Sequence, residues 1–386
     1  MAIIITGGDG YIGWPTGLRI ASRTDERCIL VDNFARREWV ESIGSKSAAP
    51  VAAMDERLTA ARNVHGLSNL SFVEGDLTDR GFVDQLLTVH EPRAIVHTAA
   101  QPSAPYSQLN GERANYTQHN NMQATRNLVW GLHEHDMADT HFVETTTTGV
   151  YGAPEFPIPE GGAVMEHEGH RDAVPFPAMA GSWYHLTKSH DAANLRLAHR
   201  QFGIPISDVR TAITYGTETE ETRADERLRT RFDFDYYFGV VAHRFCAQAI
   251  AGYPLTVYGK GEQRKPFVSL EDAVEGLAQL VVSGQSAEHT VYNQVTRPIS
   301  IVEMAETIAD VGAEFGLDVD VTHVENPREE DEEHAMEIEN DRYMDLIGEQ
   351  RQTFESGMRD ILETLTAHRD TIVAHEDRFL PDVLEE

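Results

Sequence analysis

The sequence predicts an α/β protein with a Rossmann-type, doubly wound parallel sheet and a smaller C-terminal substrate-binding lobe. Short apolar runs of strand length alternate with segments of helical periodicity, which is the pattern of a parallel sheet covered by helices. A glycine-rich loop follows the first of these runs, and an acidic residue ends the second. Together these observations favour a sheet that binds a nucleotide cofactor.

The predicted elements follow in chain order. Residues 2–6 form the first strand, and a helical pattern then extends from residue 11 to about residue 22. The second strand, at residues 28–31, ends at Asp32. The same periodicities predict further runs ending at residues 74–76 and 97–99, a strand at 140–147, a helix at 184–201 and a strand at 206–215.

The chain is long enough to form two lobes. With 386 residues, 41% of them hydrophobic, it can bury a substantial core. We place the cofactor-binding domain at residues 1–214 and a lobe that mainly binds the substrate at residues 215–386. Residues 153–181 are rich in proline and glycine and too long for an ordinary connection, which predicts either a lid over the substrate or a disordered surface loop.

Charge and cysteine content exclude several classes of function. The net charge is −31, with 32 Lys and Arg residues against 63 Asp and Glu, so the long-range field repels nucleic acid and anionic lipid. The acidic residues are scattered, and we interpret them as a surface adapted to high salt. Cys28 and Cys246 form no CxxC pair, and no export signal or membrane-spanning run is evident. We therefore expect a cytoplasmic protein that binds neither nucleic acid nor membrane.

The loop after the first strand predicts a dinucleotide site. Gly7, Gly10 and Gly13 let the backbone approach a pyrophosphate at a helix N-terminus. Asp32 takes the place of a carboxylate that binds the ribose hydroxyls and repels a 2′-phosphate, which favours NAD over NADP despite two arginines nearby. Asp76 is expected either to bond the adenine or to cap a helix. The predicted cofactor site comprises Gly7, Gly10, Tyr11, Ile12, Gly13, Asp32, Asn33, Arg36, Asp76, Leu77, Tyr184 and Lys188.

A tyrosine and a lysine form the predicted catalytic pair. Tyr184 and Lys188 are four residues apart and therefore share one face of a helix. An ammonium beside a phenol favours the phenolate, which makes the tyrosine a usable base near neutral pH. Thr147, at the end of the strand at 140–147, is the predicted third member, whereas Thr145 and Thr146 fit equally well as ordinary strand residues.

A pair of histidines in the proline- and glycine-rich segment has the form His-x-x-His. His167 and His170 are three residues apart, but no third ligand follows at the spacing of a zinc site. We therefore predict no metal.

Several longer strings carry a family resemblance over nearly the whole chain. They are GGDGY at 7–11, SAPYS at 103–107, YTQHNN at 116–121, YHLTK at 184–188, RFDFD at 231–235, PLTVYGKG at 254–261 and NPREEDEEH at 326–334. In these strings the chain resembles the extended short-chain dehydrogenases and, more narrowly, the UDP-sulfoquinovose synthases.

The resemblance implies UDP-glucose, or another UDP-hexose, and sulfite as substrates, NAD as a recycled oxidant, and a homodimer. It implies that Tyr184 takes the O4 proton while C4 is oxidised, that the 4-ketone promotes loss of water across C5 and C6, and that sulfite adds at C6 before C4 is reduced again. It also implies that arginines and a lysine bind the diphosphate, although exposed cations more often form surface salt bridges. The substrate site so implied comprises Gln101, Ser103, Thr147, Thr148, Arg231, Gln263, Lys265 and Arg328.

Three positions depart from the pattern of the synthases. Val150 stands where an acid is expected, Pro102 where an arginine is expected, and Arg264 with Lys265 where Thr-Arg is expected. Either neighbours such as His185, Thr148 or Arg264 compensate, or the chain oxidises C4 and finishes as a 4-epimerase or dehydratase. A third alternative is a protein that binds NAD and a nucleotide sugar without turnover.

Overall fold

The computed structural model describes residues 1–176, 179–283, 288–325 and 336–381. The strands are β1 (Ala2–Thr6), β2 (Arg27–Asp32), β3 (Leu70–Glu74), β4 (Pro92–His97), β5 (His141–Thr147), β6 (Gly162–His167), β7 (His170–Pro175), β8 (Ile206–Thr211), β9 (Ile213–Tyr215), β10 (Leu255–Tyr258), β11 (Arg264–Ser269), β12 (His289–Gln294), β13 (Arg297–Ser300) and β14 (Val321–Val324). The helices are α1 (Gly13–Arg23), α2 (Ala35–Ser42), α3 (Met54–His65), α4 (Arg80–His90), α5 (Ala104–Ser107), α6 (Gly111–Glu134), α7 (Trp183–Phe202), α8 (Val241–Ala251), α9 (Leu270–Val282), α10 (Ile301–Glu314), α11 (Asp341–Ile347), α12 (Phe354–Thr366) and α13 (Arg369–Val373).

A seven-stranded sheet forms the centre of the larger lobe. Its strand order is β3-β2-β1-β4-β5-β8-β12, and all pairs are parallel. All five residues of β1 are buried, and apolar clusters cover both faces of the sheet, as expected where helices pack on both sides of parallel strands. The predicted Rossmann-type fold is confirmed.

The helix that carries the predicted catalytic pair begins and ends at clear signals. The Ser182 hydroxyl caps α7 by accepting a hydrogen bond from the His185 backbone N–H at 3.1 Å. Gly203 ends the helix in the left-handed conformation, with φ of 76°. The observed helix extends one residue beyond each end of the predicted range.

The second lobe consists of small sheets packed on helices. Strands β13, β11 and β9 form one sheet, β10 and β14 another, and a large apolar cluster joins them to α8, α10 and α12. Strand β12 returns to the edge of the large sheet, where it pairs with β8. The residues after 214 therefore contribute to both lobes, and the boundary at 214 stays a prediction. No helix in the described ranges is long and apolar enough to cross a membrane.

The segment at 153–181 contains an antiparallel hairpin of β6 and β7. Its base is tied to the C-terminal part of the chain, because Ile158 forms a β-bridge with Ile338. Glu160 accepts hydrogen bonds from the backbone N–H groups of Arg342 and Asn293 at 2.8 and 2.9 Å. The described part of the segment is thus a hairpin attached to the C-terminal part of the chain, and its action as a lid stays a prediction.

Candidate active site

A cavity of about 1230 Å³ opens at the carboxyl ends of the large sheet, between the two lobes. This is the edge at which open parallel sheets bind ligands. Most of the predicted site residues line it: Gly7, Gly10, Tyr11, Ile12, Gly13, Asp32, Asn33, Arg36, Asp76, Leu77, Ser103, Thr147, Thr148, Tyr184, Lys188, Arg231, Gln263 and Lys265.

The glycine loop is tightly folded against the start of α1. Gly7 has a φ of 74°, which glycine adopts without the strain of a side chain. The Gly10 N–H donates to the Gly7 carbonyl at 2.9 Å. A Cβ at Gly13 would lie 2.1 Å from the same carbonyl oxygen. The loop therefore keeps its backbone open at a helix N-terminus, which fits the pyrophosphate of a dinucleotide.

The carboxylate of Asp32 stands next to this loop and is held by the backbone. It accepts hydrogen bonds from the N–H groups of Asp9 at 2.9 Å and Phe34 at 2.7 Å. Burial raises the pKa of Asp32 above its ordinary value, and these bonds oppose that shift. The position at the end of β2 fits the ribose of a dinucleotide.

The two arginines that follow Asp32 are both paired with carboxylates. Arg36 binds Asp233 at 2.7 Å, and Arg37 binds Asp9 at 2.7 Å. Each guanidinium is thus partly neutralised by a carboxylate, and the preference for NAD rests on the Asp32 carboxylate at the end of β2.

The predicted catalytic residues lie together on one wall of the cavity. Tyr184 and Lys188 come from the first turns of α7, and Thr147 ends β5. The hydroxyls of Thr145 and Thr146 donate within the sheet, to the His97 carbonyl and to Asp208. The Thr147 hydroxyl accepts from the Gly149 N–H at 3.1 Å and retains its proton for a ligand.

The pKa of the Tyr184 phenol differs from the simplest expectation. Burial raises it, Lys188 lowers it, and the carboxylates of Glu144 and Asp191 raise it again, so that the net pKa lies above the ordinary value. Lys188 thus lowers the pKa of Tyr184, as predicted, but burial and the two carboxylates outweigh its effect. The cationic ring of a bound NAD would add a second effect in the direction of Lys188.

Three predicted substrate residues differ in their relation to the cavity. Gln101 does not line the cavity: its side chain is buried and donates to the Ser103 carbonyl at 3.2 Å, so it supports Ser103 instead of reaching a ligand. Arg328 lies outside the described residues. Gln263 is buried at the cavity wall, and its Oε1 has no hydrogen-bond partner among residues 1–176, 179–283, 288–325 and 336–381, which leaves this oxygen available to a ligand.

The sequence interpretation missed three acidic residues of the site. Glu144 binds the Lys188 ammonium at 2.9 Å. Asp233 joins Arg36 to Arg231, at 2.7 and 2.9 Å respectively. Asp9 lies inside the glycine loop itself. The acid at 144 in an otherwise buried strand was the one visible signal, because a buried carboxylate requires a partner.

Asp76 behaves as a turn residue. Its Oδ1 accepts from the Thr78 backbone N–H and hydroxyl, both at 2.8 Å, while Asp79 caps α4. Asp76 also lines the cavity, so contact with the adenine stays a prediction. His167 and His170 lie on the exposed hairpin, and the described part of the chain holds no group of three or more potential metal ligands.

Comparison with known proteins agrees with this geometry. The model of the NAD dependent epimerase/dehydratase family matches residues 3–293. The UDP-sulfoquinovose synthase of Sulfolobus acidocaldarius is 41% identical over 336 residues, which cover 86% of this chain and 84% of the relative. The chloroplastic UDP-sulfoquinovose synthase of Spinacia oleracea is 34% identical over 371 residues, covering 96% of this chain and 76% of the relative.

Solved structures show the same fold at lower identity. The UDP-glucose 4-epimerase of Thermotoga maritima, solved with UDP-glucose, has a TM-score of 0.69 at 19% identity and covers 94% of this chain and 98% of its own. The UDP-glucose 4-epimerase of Bifidobacterium longum, in complex with NAD+ and UDP, has a TM-score of 0.71 at 15% identity, over 97% of this chain and 100% of its own. The chain belongs to the NAD dependent epimerase/dehydratase family and is an NAD-dependent nucleotide-sugar enzyme.

Proposed function

We propose that the chain converts UDP-glucose and sulfite into UDP-sulfoquinovose. The observation that carries the proposal is the similarity to two UDP-sulfoquinovose synthases over most of both chains. The cavity supports it, because a tyrosine, a lysine and a threonine converge beside a dinucleotide loop. Relatives that bind UDP-glucose or NAD with the same fold support the choice of ligands.

The first step is the removal of the O4 proton by Tyr184. Thr147 donates its hydroxyl to the sugar and orients O4, while Lys188 stabilises the phenolate that accepts the proton. A bound NAD would supply reversible hydride transfer at C4. Its pyrophosphate would lie at Gly7 to Gly13 and its ribose at Asp32.

The next steps exchange the C6 hydroxyl for a sulfonate. A ketone at C4 makes the C5 hydrogen acidic, so that loss of a proton from C5 and hydroxide from C6 gives a C5–C6 double bond and water. Bisulfite then adds its sulfur to C6 and its proton to C5. The net reaction consumes UDP-glucose and bisulfite, releases UDP-sulfoquinovose and water, and leaves the oxidation state of the cofactor unchanged.

The departure at residue 150 has a structural explanation. Val150 is buried in an apolar cluster with Tyr151, Ile158 and Met336 and does not line the cavity. The side chain at position 150 packs away from the cavity wall. The wall therefore loses no acid through the valine at this position. Thr148 and His185 do line the wall, and we assign the proton transfers at C5 and C6 to them.

The diphosphate requires cations in the cavity. Arg231 and Lys265 line it, and the Gln263 Oε1, which has no partner in the described part of the chain, can accept a hydrogen bond from a hydroxyl or N–H of the uridine or the sugar. The guanidinium of Arg231 forms an ion pair with Asp233 at 2.9 Å, and this pair fixes its orientation before the ligand binds. We assign these three residues to UDP binding.

The quaternary structure and location form part of the proposal. A homodimer is supported by the large apolar side chains that α6 and α7 expose, since Trp130 is 45% and Leu197 50% exposed. A cytoplasmic location is supported by the two buried free cysteines.

Mass spectrometry of the products tests the reaction. We expect purified protein in high salt to form a sulfonated UDP-sugar from UDP-glucose only when sulfite is present. Tyr184→Phe is the matched control, because it removes one hydroxyl from the wall and should retain the fold and the nucleotide. UDP-galactose as the sole product would show a 4-epimerase, and loss of water without sulfonation would show a dehydratase. Bound NAD without any conversion would favour a non-catalytic binding protein.

A further inference from the structure

The ammonium of Lys188 lies in a buried acidic cluster behind the catalytic wall. The side chain of Lys188 is 2% exposed, and its Nζ lies 2.9 Å from Glu144 Oε1 and 4.0 Å from Asp191 Oδ2. Both carboxylates are fully buried. Two potential negative charges thus face one positive charge in a region that water does not screen.

His97 on β4 does not balance this excess. Its Nε2 lies 3.8 Å from the second oxygen of Glu144, and its Nδ1 is hydrogen-bonded to the Thr6 hydroxyl at 2.6 Å. Burial, together with Lys188, lowers the pKa of His97 well below its ordinary value. The imidazole is therefore neutral at neutral pH and adds no positive charge.

The other charged groups that face the cluster lie on three further elements. On β8, Asp208 is paired with Arg210 at 3.3 Å. On α6, the exposed Arg126 lowers the pKa of Asp191. On α2, Arg36 lowers the pKa of Tyr184 while it is itself bound to Asp233. None of these groups supplies a second cation next to Glu144.

We propose that Glu144 is a positioning residue: it holds the Lys188 ammonium in place and partly cancels the effect of its positive charge on the Tyr184 phenol. The geometry carries this inference: β5 places Glu144 three residues before Thr147, on the strand that borders α7. One carboxylate therefore fixes the lysine under the catalytic wall. The inference rests on the proposed role of Tyr184 as the base at O4.

Burial raises the pKa of Glu144 from 4.5 to about 8, although Lys188 opposes this shift, so the Glu144 carboxyl is ionised in the alkaline range in which a tyrosine titrates. Burial alone lowers the pKa of Lys188, but Glu144 and Asp191 outweigh it and raise the pKa above the ordinary value. The lysine thus stays charged throughout the working pH range. Burial raises the pKa of Tyr184, Lys188 lowers it, and Glu144 raises it further. In that alkaline range the ionised Glu144 therefore favours the protonated phenol.

The test is a titration of the Tyr184 phenol. The chain has 12 tyrosines, so the difference in ultraviolet tyrosinate absorbance between a protein and its Tyr184→Phe variant isolates this residue. In Glu144→Gln the titration midpoint should fall by about one pH unit, because one facing negative charge is removed. The acid limb of the pH profile for C4 oxidation should move in the same direction. Glu144→Asp should restore the original midpoint in part.

Two further variants make the result decisive. Glu160→Gln changes a buried carboxylate that binds only backbone and lies outside the cavity, so it should affect stability without moving the Tyr184 midpoint. Asp191→Asn removes the other facing carboxylate and should also lower the midpoint. If Glu144→Gln does not fold, the smaller shift expected in Glu144→Asp decides the question.

A midpoint that is unchanged or higher in the folded variant would overturn the inference. The titration needs no turnover, so its outcome is separate from that of the proposed function. A lowered midpoint in a protein that forms no sulfonated sugar would support Glu144 and refute the synthase activity alone.

Discussion

Replacing Gly13 with alanine should deprive the glycine loop of its cofactor. The new Cβ would lie 2.1 Å from the Gly7 carbonyl oxygen and 2.7 Å from the Thr98 hydroxyl, whereas real Cβ contacts stay above 3.0 Å. The start of α1 and the loop must therefore separate by about 1 Å, and forced overpacking of this kind costs about 1–3 kcal/mol. Since each 1.4 kcal/mol is a factor of ten, the affinity for NAD should fall by about 5- to 150-fold.

The assay is the amount of NAD that copurifies with the protein, together with the dissociation constant of added NAD. Gly111→Ala is the matched control, because its added methyl group meets nothing within 4 Å at the first turn of α6. The variant at Gly111 should retain NAD in full. If Gly13→Ala binds NAD as tightly as the unmodified protein, the cofactor does not lie on this loop.

The remaining predictions concern stability. The buried side chain of Arg19 forms ion pairs with Glu221 at 2.7 Å, Glu271 at 2.6 Å and Glu275 at 3.3 Å. Arg19→Met should lower the free energy of unfolding by about 3–5 kcal/mol, because it removes the partner of buried carboxylates. A loss below 1 kcal/mol in denaturant unfolding would contradict this. Burial raises the pKa of Glu275, but hydrogen bonds led by Arg23 outweigh it and lower the pKa from 4.5 to about 2. A lowered folded-state pKa stabilises the protein fully above pH 4.5 and progressively less as the pH falls towards 2, so Glu275→Gln should flatten that part of the stability curve. With a net charge of −31, the melting temperature should rise with added KCl, and a salt-independent value would argue against a salt-adapted surface.

The fold and the cofactor loop were predictable because their signals are local. The strand, the glycines at 7, 10 and 13 and the acid at 32 lie within one supersecondary unit, where spacing alone determines proximity. The helix at Tyr184 was predictable for the same reason. Each of these features depends on contacts between near neighbours in the sequence.

The electrostatics of the site were not predictable because they depend on tertiary contacts. Glu144 and Lys188 are 44 residues apart, and their pairing follows from the packing of α7 beside β5. Asp233 reaches Arg36 across the two lobes, at a separation of 197 residues. Gln101 lies two residues before the SAPYS string, but its side chain bonds to the backbone of Ser103 instead of lining the cavity. Its own backbone N–H donates to Asn121 of α6 at 2.8 Å.

In the proposed reaction, one cavity oxidises C4, exchanges the C6 hydroxyl for a sulfonate and restores C4. UDP-glucose labelled with deuterium at C4, incubated with the protein and sulfite, tests it most directly. We expect a UDP-sugar that carries a sulfonate at C6 and retains deuterium at C4, with no net consumption of NAD. A product without a sulfonate would contradict the synthase activity, and a sulfonated product that has lost the deuterium would contradict the internal return to C4.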